Sequence, residues 1–595
     1  MELISKKEIL KKMPVLKKTG GDLLLQAAFR LLDFDKVNAI YSKNYHLPRR
    51  EFLDEVIRET GVQIRISASD VEKIPPNHGF ITVSNHPYGG IDGILLAKIV
   101  SEVNPGYKLL VNFLLNRIEP IQSYFLGVNP FETRKDVQSS FGGLKEALMH
   151  LQQGNPLGIF PSGEVSSFGG KGVRIMDPDW QFTIIKFIKR ARVPIVPIYF
   201  SGHNSLIFNF LGIIHPMLRT LRLPAELFNK KDHIIEIRIG SPVLVREQDE
   251  FREIIEFGKM LRMKTYSLGA SARGTCPFRT PPPVKPTTLI PSVEKNLIQK
   301  EINEIPPEYF LFKLQGNRIF CVPSKIIPNI MVEISRLREL TYRDIGEGTN
   351  NKSDQDTYDA YFEQLFIWDD ESQKIVGGYR IGRGDEIMDR FGIEGHYINS
   401  LFKIKKEFGP VLRISLELGR SFIVKEYQKK VLSLFLLWKG ILYVLLREPR
   451  YRYLIGPVSI PNEFSDISKG LVVRFLKANN YNSEYGAYIK PRNSFKDRIP
   501  GTIDLPVFLR YTHKDVNRLD RFIHDIDPKF KLPILLKKYL SVNSEVLGFN
   551  IDPLFNNCLD ALIMLDLFEV PVDKIEALSK EIHDQTIMSR FRKES

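Results

Sequence analysis

Near the middle of this 595-residue chain lies Cys276-Pro277-Phe278-Arg279-Thr280-Pro281-Pro282-Pro283-Val284-Lys285-Pro286-Thr287-Thr288. Proline fixes φ and removes a backbone donor, so neither a helix nor a sheet runs through such a segment. It reads as an extended linker. The linker leaves two parts of nearly 300 residues each, and each is long enough for its own core. We place a first domain at residues 1–265, the linker at 266–300 and a second domain at 301–595. No internal repeat relates the two parts.

The first part alternates strand-like and helix-like patterns. The apolar runs Phe80-Ile81-Thr82-Val83 and Leu157–Phe160, and the segments Tyr107–Val111, Ile195–Phe200 and Ile234–Ile239, read as strands, with helical segments such as Phe182–Ile188 between them. That alternation predicts an α/β sheet with helices on both faces. The second part is less regular. Strands are expected at Ile375–Arg380 and Val411–Leu418, and a long helix from Glu426 to Leu446, weakened locally by Gly440. An α+β fold fits it.

The most informative residues follow the first of these strands: Asn85-His86-Pro87-Tyr88-Gly89-Gly90-Ile91-Asp92. An Asp a few residues after a strand-end His can hold one imidazole nitrogen and leave the other free to take a proton. The alternative is a loop His with Asp92 capping the next helix. A second block, Phe160-Pro161-Ser162-Gly163-Glu164-Val165-Ser166, also follows an apolar run. Together they resemble the His…Asp and Phe-Pro-Glu-Gly blocks of the glycerolipid (lysophospholipid) acyltransferases. Five residues separate His86 from Asp92 where that family has four, and Ser162-Gly163 intervene before Glu164. The resemblance implies acyl transfer from a thioester to a hydroxyl, with His86 as base, Asp92 as its orienting partner, and Ser162 and Gly163 placed to offer backbone donors to the oxyanion. It also implies that Arg134, in Gly127–Lys135, binds the acceptor's phosphate or carboxylate; a surface Arg beside a turn is the alternative. Val193–Ile198 matches an apolar block that shapes the acyl groove, and Asn204 is a further candidate lining residue.

The second part has its own signature. Val376–Arg380 and Glu417-Leu418-Gly419-Arg420-Ser421 close two strands, with Arg338-Glu339-Leu340-Thr341-Tyr342 and Asp356-Thr357-Tyr358-Asp359 upstream. With Leu437–Ile441 and Gly548–Asn556, this order resembles the autoinducer synthases and, more closely, the ornithine N-acyltransferases, both of the N-acetyltransferase-like (GNAT) fold. The resemblance implies acyl transfer from acyl carrier protein to an α-amine. An amine must be neutral to attack, so a carboxylate acceptor is needed, and Glu417 is the candidate. Arg420 either binds the amino acid's carboxylate or braces Glu417, and Arg338, Asp356, Asp359 and Arg380 match cleft-lining positions. A structural ion pair at a strand end is the alternative for Glu417 and Arg420.

The order of domains resembles the bifunctional ornithine lipid synthases of bacteria. The second half would acylate the α-amine of ornithine with a 3-hydroxyacyl group, and the first half would then acylate that hydroxyl. Glycine or serine in place of ornithine, a lysophosphatidic acid acyltransferase fused to an autoinducer-like synthase, and a non-catalytic membrane-binding protein are the alternatives. The formal charge of +14 favours an acidic carrier protein and an anionic membrane surface as partners. No nucleic-acid motif is present. Three scattered cysteines, Cys276, Cys321 and Cys558, fit a reducing compartment and show no metal-ligand spacing. No metal and no cofactor are expected, only acyl-acyl carrier protein as donor. The N-terminus lacks a signal-peptide core. Two apolar stretches, Ser205–Ile214 and Val431–Leu446, are too short or interrupted to span a bilayer and read as buried helices, with shallow insertion as the rival. The expected location is cytoplasmic, peripheral on the inner face of the cytoplasmic membrane.

Overall fold

The computed structural model describes residue 3 and residues 33–112, 118–128, 137–169, 174–214, 216–270, 286–528, 531–582 and 588. They belong to two compact units. The first comprises Met1–Gly274, Pro500–Tyr511 and His524–Pro528, and the second comprises Thr275–Ile499, Thr512–Ile523 and Lys529–Ser595. Of the late stretches, Pro500–Tyr511 is tied to the first unit by Tyr511, whose hydroxyl accepts from Lys264 at 3.2 Å, and His524–Pro528 by Asp525. Its carboxylate accepts from the Ser241 amide at 2.9 Å and pairs with Lys73 at 3.2 Å.

The first unit is built on strands β1 (Gln63–Arg65), β2 (Ile81–Ser84), β3 (Lys108–Asn112), β4 (Phe125–Val128), β5 (Leu157–Ile159), β6 (Ile195–Phe200) and β7 (Ile234–Ile239). They form one sheet in the order β1-β7-β6-β2-β5-β3-β4. Every pairing is parallel except β6–β7. Strands β2, β5 and β6 are buried along their whole length, as parallel strands covered on both faces must be. Helix α1 (Gly90–Val103) follows β2, and α2 (Leu206–Ile214) and α3 (Pro216–Phe228) follow β6. Because β6, β2 and β5 are adjacent and parallel, the loops after all three emerge at one end of the sheet. Ligands of open α/β sheets bind at that end.

In the second unit, β8 (Phe310–Leu314), β9 (Asn317–Pro323), β10 (Glu363–Asp369), β11 (Lys374–Arg383), β12 (Ser415–Ile423), β13 (Tyr453–Ile460), β14 (Glu545–Asp552) and β15 (Cys558–Asp566) form a sheet in the order β8-β9-β10-β11-β12-β13-β15-β14. All its pairings are antiparallel except β12–β13, which is parallel and joins only Ser415–Glu417 to Tyr453–Ile455. Beyond Glu417 the two strands keep their outer partners but not each other. Helix α4 (Pro328–Asp344) precedes β10, and α5 (Val431–Arg447) lies between β12 and β13.

Three sequence expectations shift. Val411–Leu418 is not one strand: a short helix, Gly409–Arg413, precedes β12, because Pro410 pre-sets a helical first turn. The long helix begins at Val431 instead of Glu426, after a single 3-10 turn at Lys425–Tyr427. The two apolar stretches also part company. In α5, Leu436, Leu437, Ile441 and Leu445 are buried, and Gly440 lets the helix approach Leu365 and Ile319 closely. In α2, Leu206, Ile207, Phe210 and Ile213 are 59–67% exposed. Segment 271–285, most of the proline-rich run, lies outside the described residues.

Candidate functional site

In the first unit the chain leaves β2 into the loop that carries His86. Gly89 takes φ +87, a left-handed conformation that a side chain resists, and a Cβ there would meet Leu223 at 2.9 Å. The turn brings Asp92, at the third position of α1, back to the imidazole. Asp92 Oδ2 accepts from His86 Nδ1 at 2.9 Å, from the Tyr88 amide at 2.9 Å and from the Gly89 amide at 3.0 Å. Both sequence readings are therefore realised in one group: Asp92 satisfies the open helix end and orients the His. It is fully buried, while His86 retains partial exposure. With Nδ1 donating to Asp92, Nε2 is the nitrogen left to accept a proton.

The Phe160 block supplies the opposite wall. The Phe160 ring stacks on the imidazole with centroids 4.0 Å apart. The His86 backbone is clamped on both sides. Its carbonyl accepts from the Ser166 amide at 2.8 Å, and its amide donates to Asp177 Oδ1 at 3.0 Å. Ser166 Oγ donates to the same Asp177 oxygen at 2.5 Å. Asp177 is buried, and burial raises its pKa despite these donors. Sequence reasoning missed it: it stands 91 residues from its partner, in a segment without a motif.

The remaining sequence-predicted residues of this unit separate. The Gly163 amide is bonded to the Phe160 carbonyl at 3.0 Å, so it is not a free oxyanion donor as placed. Ser162 Oγ donates to the Glu164 carbonyl, and Gln181 Nε2 donates to the Ser162 carbonyl. These bonds shape the turn that carries Glu164. Glu164 is exposed and pairs with Arg219 of α3 at 2.8 Å. Asn204 is buried beside the same loop, with Nδ2 at 3.4 Å from the Tyr88 carbonyl. Arg134 lies outside the described residues.

In the second unit the predicted polar residues gather into one network. Arg338 grips Asp359 with two bonds of 3.0 and 2.8 Å. Arg380 reaches Asp356 at 2.5 Å and Asp359 at 3.3 Å. Arg420 reaches Asp356 at 2.8 Å, Asp354 at 3.0 Å and the Tyr397 hydroxyl at 3.1 Å. Three arginines thus meet three aspartates, with Asp354 the member that sequence reasoning missed. Burial alone would raise the Asp359 pKa, but Arg338 and Arg380 outweigh it and hold the group below the ordinary carboxylate value. Arg420 sits at a bulge in the β11–β12 pairing with φ +53, which re-aims its side chain off the strand. Arg338 and Arg380 are buried, so they brace the site and do not line it.

Glu417 is not part of this network, and Arg420 does not brace it. Its Oε2 accepts from His396 Nδ1 at 2.7 Å and its Oε1 from the Ile398 amide at 2.8 Å. Both oxygens therefore pin the turn that carries Tyr397, whose ring lies under the Arg380 and Arg420 guanidinium groups.

A cavity of about 350 Å³ opens in this unit where β12 and β13 part. Its wall includes Arg420 and Ser421 from β12, Ser459 from β13 and Tyr397. It also includes three carboxylic acids: Glu347 and Asp560, which no sequence motif flagged, and Asp552, which lies within the Gly548–Asn556 segment but was not singled out. Glu417 is not among the lining residues. Asp560 stands opposite Ser459 across the β13–β15 pairing and accepts from Ser459 Oγ at 2.8 Å. Burial raises the Asp560 pKa to about 7, with the Ser459 bond opposing and the Asp552 charge adding to the shift. Burial, with Asp560 and Glu463, likewise raises Glu347 to about 8.

Comparison with known proteins places both units. Residues 7–274 match the family described as Acyltransferase, and residues 337–439 match the Acetyltransferase (GNAT) domain. The chain is 30% identical over 284 residues to the glycine N(alpha)-acyltransferase of Phocaeicola vulgatus, covering 45% of this chain and 78% of that protein. It is 24% identical over 246 residues to the lyso-glycine lipid O-acyltransferase of Bacteroides thetaiotaomicron, covering 40% of this chain and 87% of that protein. Among solved structures, the 1-acyl-sn-glycerophosphate (LPA) acyltransferase of Thermotoga maritima matches at 17% identity and a TM-score of 0.24, covering 41% of this chain and 94% of that one. The fold class read from the sequence, an α/β acyltransferase domain followed by an α+β GNAT domain, is the one found.

Proposed function

The chain belongs to the acyltransferase family that includes the Phocaeicola vulgatus glycine N(alpha)-acyltransferase, and from that premise we propose that it makes a two-chain aminolipid in two acyl transfers. One observation carries the reading. A single chain holds both an acyltransferase and a GNAT domain, and its relatives are named for N-acylation of glycine and O-acylation of a lyso-glycine lipid. In this reading the GNAT unit transfers a 3-hydroxyacyl group from acyl carrier protein to an α-amine. The first unit then acylates the 3-hydroxyl. His86 Nε2 takes the hydroxyl proton as the oxygen attacks the thioester, and Asp92 stabilises the imidazolium. No acyl-enzyme is required, because the activated hydroxyl is itself the nucleophile.

Ornithine is the amino acid we assign. The GNAT cavity has room for its side chain, and beside Asp560 it offers Glu347 and Asp552 to a second ammonium group. Glycine is the second reading, supported by the names of the relatives. Expression in a host without aminolipids, followed by mass spectrometry of extracted lipid, separates them: an ornithine head group supports the assignment, and a glycine head group replaces it.

The reading also assigns the protein to the inner surface of the cytoplasmic membrane. Among the described residues no helix is long and apolar enough to cross a membrane. Helix α2 nevertheless presents Leu206, Ile207, Phe210 and Ile213 to solvent, a pattern suited to shallow insertion. Leu223 of the following helix α3 packs against the Gly89 turn of the site. A lipid acceptor entering from the bilayer would meet the site directly. The charge of +14 suits both anionic lipid and an acidic carrier protein.

A further inference from the structure

Resting on the reading that the GNAT unit acylates an amine, we propose that Asp560 receives the amino acid's ammonium group in the cavity and takes its proton, with Ser459 holding the carboxyl in place.

Ser459 of β13 faces Asp560 of β15 directly, and its hydroxyl bonds Oδ1. Cys558 lies two residues along β15, therefore on the same face, with Sγ 3.6 Å from that same oxygen. Oδ1 is thus fixed, and among the described residues no donor reaches Oδ2. Asp560 is only 2% exposed, yet it lines the cavity. A carboxylate oxygen that faces a cavity without a protein donor is open to a cation or a proton.

The surrounding charges favour that arrival. Asp552, on the other strand of the β14–β15 hairpin, and Glu347, just after α4, line the same cavity. The facing cation, Arg420, is already committed to Asp354 and Asp356. Lys531 also lines the wall, and suits the amino acid's carboxylate. A carboxyl whose pKa burial has raised to about 7 changes charge at the pH at which the cell works, as a proton acceptor must. Glu417, by contrast, has both oxygens occupied and acts on the cavity through Tyr397, as a positioning residue.

The step balances without a further reactant. The ammonium gives one proton to Asp560 Oδ2. The freed nitrogen lone pair forms the C–N bond at the acyl thioester's carbonyl carbon. Collapse of the tetrahedral intermediate breaks the C–S bond, and the thiolate takes the second amine proton. The products are the amide and the free thiol, and Asp560 returns its proton to solvent.

The test uses the full chain, a 3-hydroxyacyl carrier protein, and ornithine or glycine across pH 5.5–9.5. In wild type, kcat for N-acylation should rise to a plateau above about pH 7. Asp560→Asn should fall roughly 100-fold or more at pH 7 and keep climbing where wild type is level, because the substrate must then shed its proton unaided. Wild-type rate and profile in Asp560→Asn overturn the assignment alone. No N-acyl product from wild type with either amino acid overturns the amine reading beneath it. Should Asp560→Asn fail to fold by circular dichroism, Ser459→Ala carries the test. Losing a bond that lowers the Asp560 pKa must move the break in the profile upward, and an unmoved break overturns the assignment.

Discussion

Replacing Asp92 by Asn alters one oxygen's worth of charge at the centre of the O-acyl site. The wild-type Oδ2 accepts three N–H donors, one of them from His86 at 2.9 Å. Asn can present its carbonyl to those donors, but its amide then occupies the Oδ1 position, which has no partner and no exposure. An unsatisfied buried donor costs about 1–3 kcal/mol of stability. The larger effect is on the reaction. As His86 takes the hydroxyl proton, an imidazolium forms beside the carboxylate. With the two charge centres about 4 Å apart and an effective dielectric near 20, that attraction is of the order of 4 kcal/mol, or about 1,000-fold in rate. The assay is the initial rate of O-acylation of a lyso-aminolipid, with N-acylation of the free amino acid measured on the same sample. We expect kcat for O-acylation to fall by about three orders of magnitude, with KM nearly constant and N-acylation intact. A fall of less than about fivefold would refute the base-and-orienter account, and equal loss of both activities would mean global damage.

Other consequences follow from the same geometry. Glu417→Ala should abolish N-acylation and lower the melting temperature, because it leaves His396 and the Ile398 amide buried without their partner, at about 2–4 kcal/mol; Glu417→Gln, whose single carbonyl oxygen can still accept from the Ile398 amide, should retain more of each in paired activity and melting measurements. Asp560 holds in the folded state a proton that the unfolded chain releases above the ordinary carboxylate value of 3.8, so its stabilising contribution is complete below about pH 4 and lost as pH rises through about 7. Melting curves of Asp560→Asn should accordingly decline less than wild type between pH 5 and 8. Phe210→Asp on α2 should weaken binding to anionic vesicles by about 30-fold in co-sedimentation, from roughly 2 kcal/mol of lost apolar contact, while thermal stability is unchanged because the side chain is 61% exposed.

Much of this architecture is readable in the sequence where the signal is local. β6 appears as an apolar run and β7 as isoleucines alternating with Glu236 and Arg238, and both are found, at Ile195–Phe200 and Ile234–Ile239. His86 and Asp92 stand out because one turn after one strand carries both. What pairs across long separations is not readable. Asp177 clamps the His86 amide from 91 residues away, and Asp560 owes its place to the register of β15 against β13. Neither carries a motif, since their partners are chosen by the fold. The same cause misplaced Glu417 and Arg420. Three residues apart on one strand, they read as a pair, but the left-handed φ at Arg420 turns its side chain to Asp354 and Asp356. The apolar stretch of α2 read as a buried helix because composition reports how apolar a segment is, and not which neighbours cover it.

The two-step account is tested most directly by the lipids of an aminolipid-free host expressing the chain, with His86→Ala and Glu417→Ala beside it. The account predicts a two-chain aminolipid from wild type, accumulation of the one-chain N-acyl form with His86→Ala, and neither form with Glu417→Ala. A two-chain product that persists with His86→Ala, or wild type that yields no aminolipid at all, would contradict it.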